Sequence, residues 1–356
     1  MPDRDTLERL LEEIESADEA LARALDARAR ASLAIAEVRA ANPDLFVRVP
    51  RDAAVVARLV ERLELFPAEA AAAVAREVLG GCASLVAPRR VMYLGEPGGF
   101  AHLAARRRFG SVATYAGASS AREVLDAIER GRSEFGVLPL ETSSDGAVTA
   151  TLVGLEASAA RIGGEISIDA SYHLLSGSGK RTDVEKVYGA HDALAACRRF
   201  LRAELPHATV IDVPSIEVAA ELVQGDAGAA IVGTELLCDL YDLRVAAEAI
   251  EDEHGVHTRY AIVGTELPSR TGEDHTIVAV AVHDAPGALY ETLKPFASRG
   301  VNLTRLESRP TPQWRYLFFL EMDGHVTDRP VVTALEELRS ISRYVKVLGS
   351  YPRAGL

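Results

Sequence analysis

The first glycine of this chain is Gly80, although 27 glycines occur among its 356 residues. Seventy-nine consecutive residues without glycine cannot supply many tight turns, glycine-capped helices or loops that cradle a nucleotide. They can supply long helices separated by prolines. Leu7, Leu10, Leu11, Ile14, Leu21, Leu25, Ala29 and Leu33 recur at spacings of three, four and seven, which predicts one helix over 4–41. Such a helix is about 57 Å long at 1.5 Å per residue. One small domain cannot cover it, so a second chain is expected to pack along it. Pro43 and Pro50 end the helix and restart the chain. Further helices are expected over 51–65 and, with Pro67 in its first turn, over 67–86. The three form a bundle or an intertwined dimer.

Composition narrows the function. With 48% hydrophobic and 26% charged residues, the chain is a soluble globular protein able to bury a core. No apolar run reaches the roughly 18 residues of a membrane span. The segment Met1-Pro2-Asp3-Arg4-Asp5 opens an acidic helix and has no apolar signal core. Cys82, Cys197 and Cys238 lack metal or redox spacing, so they read as reduced thiols of a cytoplasmic protein. A net charge of −13 argues against nucleic acid as a partner. An anionic small substrate stays compatible, because a few arginines can dominate one pocket.

After the linker Pro88-Arg89-Arg90 the pattern changes. Short apolar strands near 91–95, 134–140, 164–176, 184–188, 208–212, 228–232 and 258–264 alternate with helices near 101–108, 119–131, 191–204 and 215–224. This alternation signals an α/β domain with a mostly parallel sheet. From about 275 the order is strand (276–282), helix (286–299), strand (302–309), strand (315–322), helix (328–339), strand (343–349), the βαββαβ ferredoxin-like pattern. The expected domains are 1–88, 89–267 and 273–352. The loop Gly95-Glu96-Pro97-Gly98-Gly99 follows a strand and precedes a helix. It lacks both the dinucleotide spacing and the P-loop Lys-Ser/Thr. A carboxylate at a helix N-terminus is the better reading. No cofactor and no metal are expected.

The strongest local signals are Gly287-Ala288-Leu289, which opens a helix with free N–H groups suited to a carboxylate, and Leu306-Glu307-Ser308-Arg309-Pro310, whose charges suit a zwitterion. On these motifs the last 80 residues resemble the ACT regulatory domain of prephenate dehydratases. The centre resembles the dehydratase domain of the same enzymes at several segments. These are Tyr93-Leu94-Gly95 with Gly98, Phe100 and His102-Leu103-Ala104-Ala105; Val137-Leu138-Pro139-Leu140-Glu141; Gly233-Thr234-Glu235-Leu236; and Thr258-Arg259-Tyr260. The glycine-free start resembles the all-helical chorismate mutase domain fused to many of them. The resemblance implies an all-α mutase-like bundle, a two-lobed α/β domain like a periplasmic binding protein, and an α+β ferredoxin-like domain. It also implies phenylalanine binding by Gly287, Ala288, Leu289, Asn302, Leu303, Glu307, Ser308 and Arg309.

The implied reaction expels hydroxide and CO2 from prephenate, leaving the aromatic phenylpyruvate. It calls for grips on two carboxylates and a proton donor near the ring hydroxyl. The family's Thr-Arg-Phe motif supplies a hydroxyl donor and a cation, matched by Thr258 and Arg259, with Tyr260 in place of the Phe. Glu141, Thr142 and Ser143 are the supporting polar loop. The departures are these. Gly98-Gly99-Phe100-Ala101 replaces Gly-Thr-Phe-Ser. Thr142 stands at the Asn of Pro-Ile-Glu-Asn-(Ser/Thr). Gly189-Ala190-His191-Asp192, then Ala196-Cys197, replaces Ser-His-Pro-Gln followed by Gln-Cys. In the mutase-type region Arg28 matches a chorismate-binding arginine, Arg39 stands where lysine is usual, and Arg51-Asp52 aligns with an Arg-Glu pair. Leu11 replaces an arginine, and Val86 or Ala87 replaces the Glu or Gln that bonds the breaking ether. Apolar residues cannot compensate a buried carboxylate or polarise an ether, so mutase activity is expected to be weak or absent. Three readings stay open at this stage: a dehydratase inhibited by phenylalanine, a phenylalanine-sensing pseudoenzyme acting through an oligomeric partner, and an enzyme that decarboxylates prephenate without losing the hydroxyl. The oligomer is expected to be a homodimer or homotetramer.

Overall fold

The computed structural model describes residues 4–42, 52–282, 285–310 and 316–353. Pro43, Pro50 and Arg51 lie outside these. Two compact units emerge, one within Met1–Arg89 and Arg106–Thr114, the other within Arg90–Ala105 and Tyr115–Leu356. Among the described residues no helix is long and apolar enough to cross a membrane.

The first unit is helical. α1 (Arg4–Ala41) runs its 38 residues without a break and buries none of them. Leu7, Leu11, Ile14 and Leu21 are each more than half exposed. α2 spans Asp52–Val60, five residues short of the expected end. Its last turn tightens to i→i+3 bonds, Arg62 N to Leu59 O and Leu63 N to Val60 O. Pro67 then disfavours the helical conformation for Phe66. α3 (Ala68–Val86) buries Ala71, Ala75, Leu79 and Cys82 along one stripe.

Gly80 lies on that stripe. A Cβ there would stand 2.7 Å from the Phe109 carbonyl oxygen, whereas nothing lies within 4 Å of one at Gly81. The chain's first glycine is therefore a packing contact inside a helix. Next to it, Glu77 accepts from the Ser111 amide at 2.9 Å and from its hydroxyl at 2.7 Å.

The chain goes on with β1 (Arg90–Leu94), α4 (Phe100–Phe109), β2 (Thr114–Ala118), α5 (Ala121–Glu129), β3 (Phe135–Thr142), β4 (Gly146–Ala147), α6 (Thr149–Ala157) and β5 (Arg161–Asp169). It continues through β6 (His173–Ser176), β7 (Lys186–Gly189), α7 (His191–Ala196), α8 (Arg198–Glu204), β8 (Thr209–Asp212), α9 (Ile216–Gln224), β9 (Ala229–Gly233), α10 (Leu236–Tyr241), β10 (Arg244–Ala247) and β11 (His257–Gly264). Strands β6–β10 form their own sheet, in the order β10-β6-β9-β7-β8. The strand expected over 164–176 is thus two strands in two different sheets. The helix expected over 191–204 breaks at Cys197, which leaves helical geometry at φ −112°.

Neither sheet is mostly parallel, contrary to the expectation. β1 runs parallel to β3, but β11 is antiparallel to both β3 and β5. β11 is the chain's return from the second sheet, and it enters the first between β3 and β5 from the opposite end. In the second sheet β7 is parallel to β8 and β9, while β6 is antiparallel to β9 and β10.

The C-terminal segment adds β12 (Asp274–Ala281), α11 (Ala288–Ala297), β13 (Leu303–Pro310), β14 (Tyr316–Asp323), α12 (Arg329–Ile341) and β15 (Tyr344–Pro352). Its strands stand in the order β13-β14-β12-β15, and β15 meets β5 to extend the first sheet. Alternation makes both faces of these four strands apolar. Val278, Val280, Phe318, Leu320 and Met322 pack under Phe296 of α11 and Val331 and Leu335 of α12. Ile277, Ala279, Leu317 and Phe319 share a core with Leu138, Leu140, Leu152 and Leu155 of the preceding domain.

We expect Gly80→Ala to lower stability by about 1–3 kcal/mol through overpacking against Phe109. Gly81→Ala, in open space on the same helix, should raise it by about 0.5–1 kcal/mol. Chemical denaturation of the two variants measures both. Equal effects would contradict the packing role of Gly80.

Candidate active site

Strands β3 and β11 place the motif residues in register. Thr142 is opposite Thr258, and Glu141 is opposite Arg259. Partners in an antiparallel pair share a face, and neighbours along a strand take opposite faces. Thr258 therefore faces the same way as Thr142 and Tyr260, whereas Arg259 faces the other way, with Glu141.

On the Thr258 face the groups are hydroxyls and aromatic rings. Tyr260 is buried and is hydrogen-bonded to Thr258. Burial pushes the Tyr260 phenol well up, against a smaller lowering by Thr258, and Tyr172 lies beside it. Burial likewise pushes Tyr172 up to about 12, helped by nearby acidic groups. Both phenols thus stay protonated at neutral pH. Phe100, at the start of α4, meets the Tyr172 ring edge-on at 5.0 Å.

The turn from β3 to β4 is held by its own side chains. Thr142 Oγ1 accepts from the Asp145 amide at 3.0 Å. The Ser143 amide donates to the His257 carbonyl at 2.9 Å, and the His257 amide donates to Ser143 Oγ at 3.0 Å. Ser143 thereby pins the start of β11 one residue before Thr258.

The glycine loop is fastened to the second sheet's side. Thr234 Oγ1 donates to the Gly98 carbonyl at 2.6 Å, and Glu96 accepts from the Ile216 amide at 2.7 Å, at the start of α9. Gly98 has φ +82°, and a Cβ there would fall 2.2 Å from Leu237 Cδ2. No other residue satisfies both conditions. His102 stacks on Tyr93 at 4.4 Å and accepts from the Gly98 amide. His191 and Asp192 open α7 elsewhere in the second sheet's layer, where His191 pairs with Asp212 at 2.8 Å on the surface.

Behind Thr258 lies a cluster of buried charges. Arg259 makes a bidentate pair with Glu321 of β14, at 3.0 and 2.8 Å. Its Nε lies 3.6 Å from Glu141 and 3.5 Å from Glu165 of β5. Arg305 of β13 pairs with Glu141 and stands 3.8 Å from Glu321. His275 of β12 lies 3.3 Å from Glu321 and 3.7 Å from Glu165. The Glu165 and Glu321 side chains are 2% exposed, so their charges depend on these partners rather than on water. For Arg259 burial opposes the charge, but the Glu321 hydrogen bonds and the Glu165 charge outweigh it and raise the guanidinium pKa.

Sequence reasoning missed Arg305, Glu165, Glu321 and His275. For Glu321 the signal is a single charge inside the otherwise apolar run Tyr316-Leu317-Phe318-Phe319-Leu320-Glu321-Met322. Such a charge is almost never fully buried unless paired.

The expected phenylalanine residues fall on two separate elements. Gly287 caps α11 with φ +80°, followed by Ala288 and the partly exposed Leu289. The others lie on or beside β13. Asn302 donates to Asp323 at 2.8 Å, and Leu303 packs against the core under α11 and α12. Glu307 and Arg309 face the preceding domain, 3.3 Å apart, and Arg309 also donates to Thr149. Ser308 lies on the opposite face. In the helical unit Arg28 is half-buried and Arg39 exposed on α1. Their 11-residue spacing puts them on one side of the helix, about 16 Å apart. Arg51 lies outside the described residues, and Asp52 opens α2.

The comparisons with known proteins agree with this organisation. The prephenate dehydratase family model matches residues 91–267, and the ACT domain model matches 276–340. The bifunctional chorismate mutase/prephenate dehydratase of Aquifex aeolicus is 37% identical, over 98% of this chain and 99% of its own. That of Stutzerimonas stutzeri is 35% identical over the full length of both. Among solved structures, the prephenate dehydratase of Arthrobacter aurescens in complex with L-Phe matches with a TM-score of 0.65 at 35% identity, covering 74% of this chain and 90% of that one. GqqA, described as a novel type of quorum quenching acylase, matches with a TM-score of 0.67 at 27% identity, covering 75% and 98%. A relationship that runs end to end at this identity places the chain in the bifunctional chorismate mutase/prephenate dehydratase family.

Proposed function

We propose that the chain is a prephenate dehydratase of L-phenylalanine biosynthesis, converting prephenate to phenylpyruvate, water and CO2. The observation that carries this reading is the shared face of Thr258, Thr142 and Tyr260. Thr258 is the proton donor to the departing ring hydroxyl. A threonine hydroxyl is a weak acid, so its neighbours matter, and its hydrogen bond to the buried Tyr260 phenol holds it in place. Thr142 and Ser143 supply the polar edge. Glu141 and Arg259 act from behind, each anchoring its strand where the donor sits. The dehydratase domain, 89–267, has the two-lobed form of a periplasmic binding protein. The ACT domain, 273–352, is ferredoxin-like and binds L-phenylalanine through Gly287–Leu289 and the residues from Asn302 to Arg309.

The helical domain, 1–88, is mutase-type in form and serves chiefly as scaffold. Arg28, Arg39, Arg51 and Asp52 are its remaining chorismate-binding candidates, while Leu11 and the Val86-Ala87 pair leave two grips unfilled. The exposed leucine row of α1 supports a second copy as its cover, giving a homodimer, or a homotetramer if the ACT domains also pair. The reading includes a cytoplasmic location and needs no cofactor.

Incubation with prephenate should yield phenylpyruvate, and Thr258→Ala should lower kcat by about 10²–10⁴-fold, the usual range for a lost proton donor, with a smaller change in KM. Equal inertness of wild type and variant would overturn the dehydratase reading. Incubation with chorismate should show little loss, because two missing grips at about 2.7–4 kcal/mol each remove most transition-state stabilisation. Chorismate turnover at about 1–10³ per second, ordinary for an enzyme, would contradict the scaffold role.

A further inference from the structure

Strand β13 carries two cations that reach across to the dehydratase domain, and they land on either side of the turn bearing Thr142 and Ser143. Arg305 pairs with Glu141, the residue before the turn. Arg309 donates to Thr149, the first residue of α6 just after β4. Alternation along β13 sets Arg305, Glu307 and Arg309 on one face, and Glu307 sits between the two cations, 3.3 Å from Arg309. The Arg305 side chain is 17% exposed, so little water is available to take over from Glu141. Glu141 in turn is opposite Arg259, next to Thr258. A strand is stiff along its length. A ligand engaged at Glu307 and Arg309 therefore cannot shift β13 without acting on Arg305.

We propose that Arg305 is a positioning residue for the dehydration reaction and the contact through which β13 reports its occupancy to the catalytic strand. This rests on the dehydratase reading above and names its regulation. With Arg305 on Glu141, the end of β3 is held in register with β11 and the Thr142–Ser143 turn is set against Thr258. When L-phenylalanine engages the 307–309 segment, the Arg305–Glu141 contact is the one that changes, and the turn loosens or re-registers with it.

The test uses the full-length protein, wild type and Arg305→Gln, with and without saturating L-phenylalanine. Calorimetry reads binding, amide hydrogen exchange reads the peptide covering 141–148, and prephenate turnover is followed in parallel. In wild type, L-phenylalanine should alter exchange across 141–148 and lower kcat/KM by about 5–150-fold, the usual span of an allosteric coupling. Arg305→Gln should still bind L-phenylalanine, while both responses collapse towards none. Arg305→Lys keeps the charge but loses the fork, and should restore some of the response. If Arg305→Gln does not fold, the lysine variant carries the comparison with a reduced response expected. The proposal is overturned by a full wild-type response in the variant, by loss of L-phenylalanine binding itself, which would make Arg305 a member of the effector site, or by a wild type whose 141–148 exchange ignores the ligand. Lack of prephenate turnover in wild type would count against the dehydratase reading alone, because hydrogen exchange reads the coupling without substrate.

Discussion

The bidentate pair between Arg259 and Glu321 joins the strand that carries the candidate proton donor to the sheet of the ACT domain. Removing one partner of such a pair leaves a buried charge without compensation, typically at about 3–5 kcal/mol. Here the consequence spreads, because Glu165, Glu141, Arg305 and His275 stand within the same cluster. The motif Thr258-Arg259-Tyr260 thus divides its work by strand alternation. Thr258 and Tyr260 lie on one face, and Arg259 on the other reaches Glu321 of β14. On the proposed reading, the proton donor and the link to the ACT sheet are adjacent residues of one strand.

Much of the architecture is legible in the sequence because it rests on periodicity. The leucine spacing of α1 matches its limits of 4 and 41, and the βαββαβ order at the end of the chain emerges element by element. What is not legible depends on contacts between distant segments. Nothing local says that β11 inserts between β3 and β5 in reverse, so the sheet reads as mostly parallel. The strand over 164–176 has one continuous composition but crosses from one sheet to another near Ala170. α6 and α10 are short helices whose formation depends on what they pack against rather than on their own pattern.

The site is legible to a similar degree. The register of β3 and β11 sets Thr142 opposite Thr258 and Glu141 opposite Arg259, so two motifs far apart in the sequence become neighbours. Motif spacing does not reveal which residues share a face once both strands are paired, nor that Arg259 would meet a glutamate 62 residues further along. The glycine count carries a related lesson. Gly80 and Gly98 both stand where another group occupies the Cβ position, one in a helix and one in the loop between β1 and α4. The fold itself does not dictate the chemistry.

The most direct measurement is a double-mutant cycle on Arg259→Leu and Glu321→Leu, read as kcat/KM for the conversion of prephenate to phenylpyruvate. If the catalytic strand is braced by the regulatory sheet, each single change lowers kcat/KM and the double variant is no worse than the poorer single one, a coupling at or above the usual range of about 0.5–3 kcal/mol. Losses that simply add would show that Arg259 acts independently of Glu321 and would contradict the account.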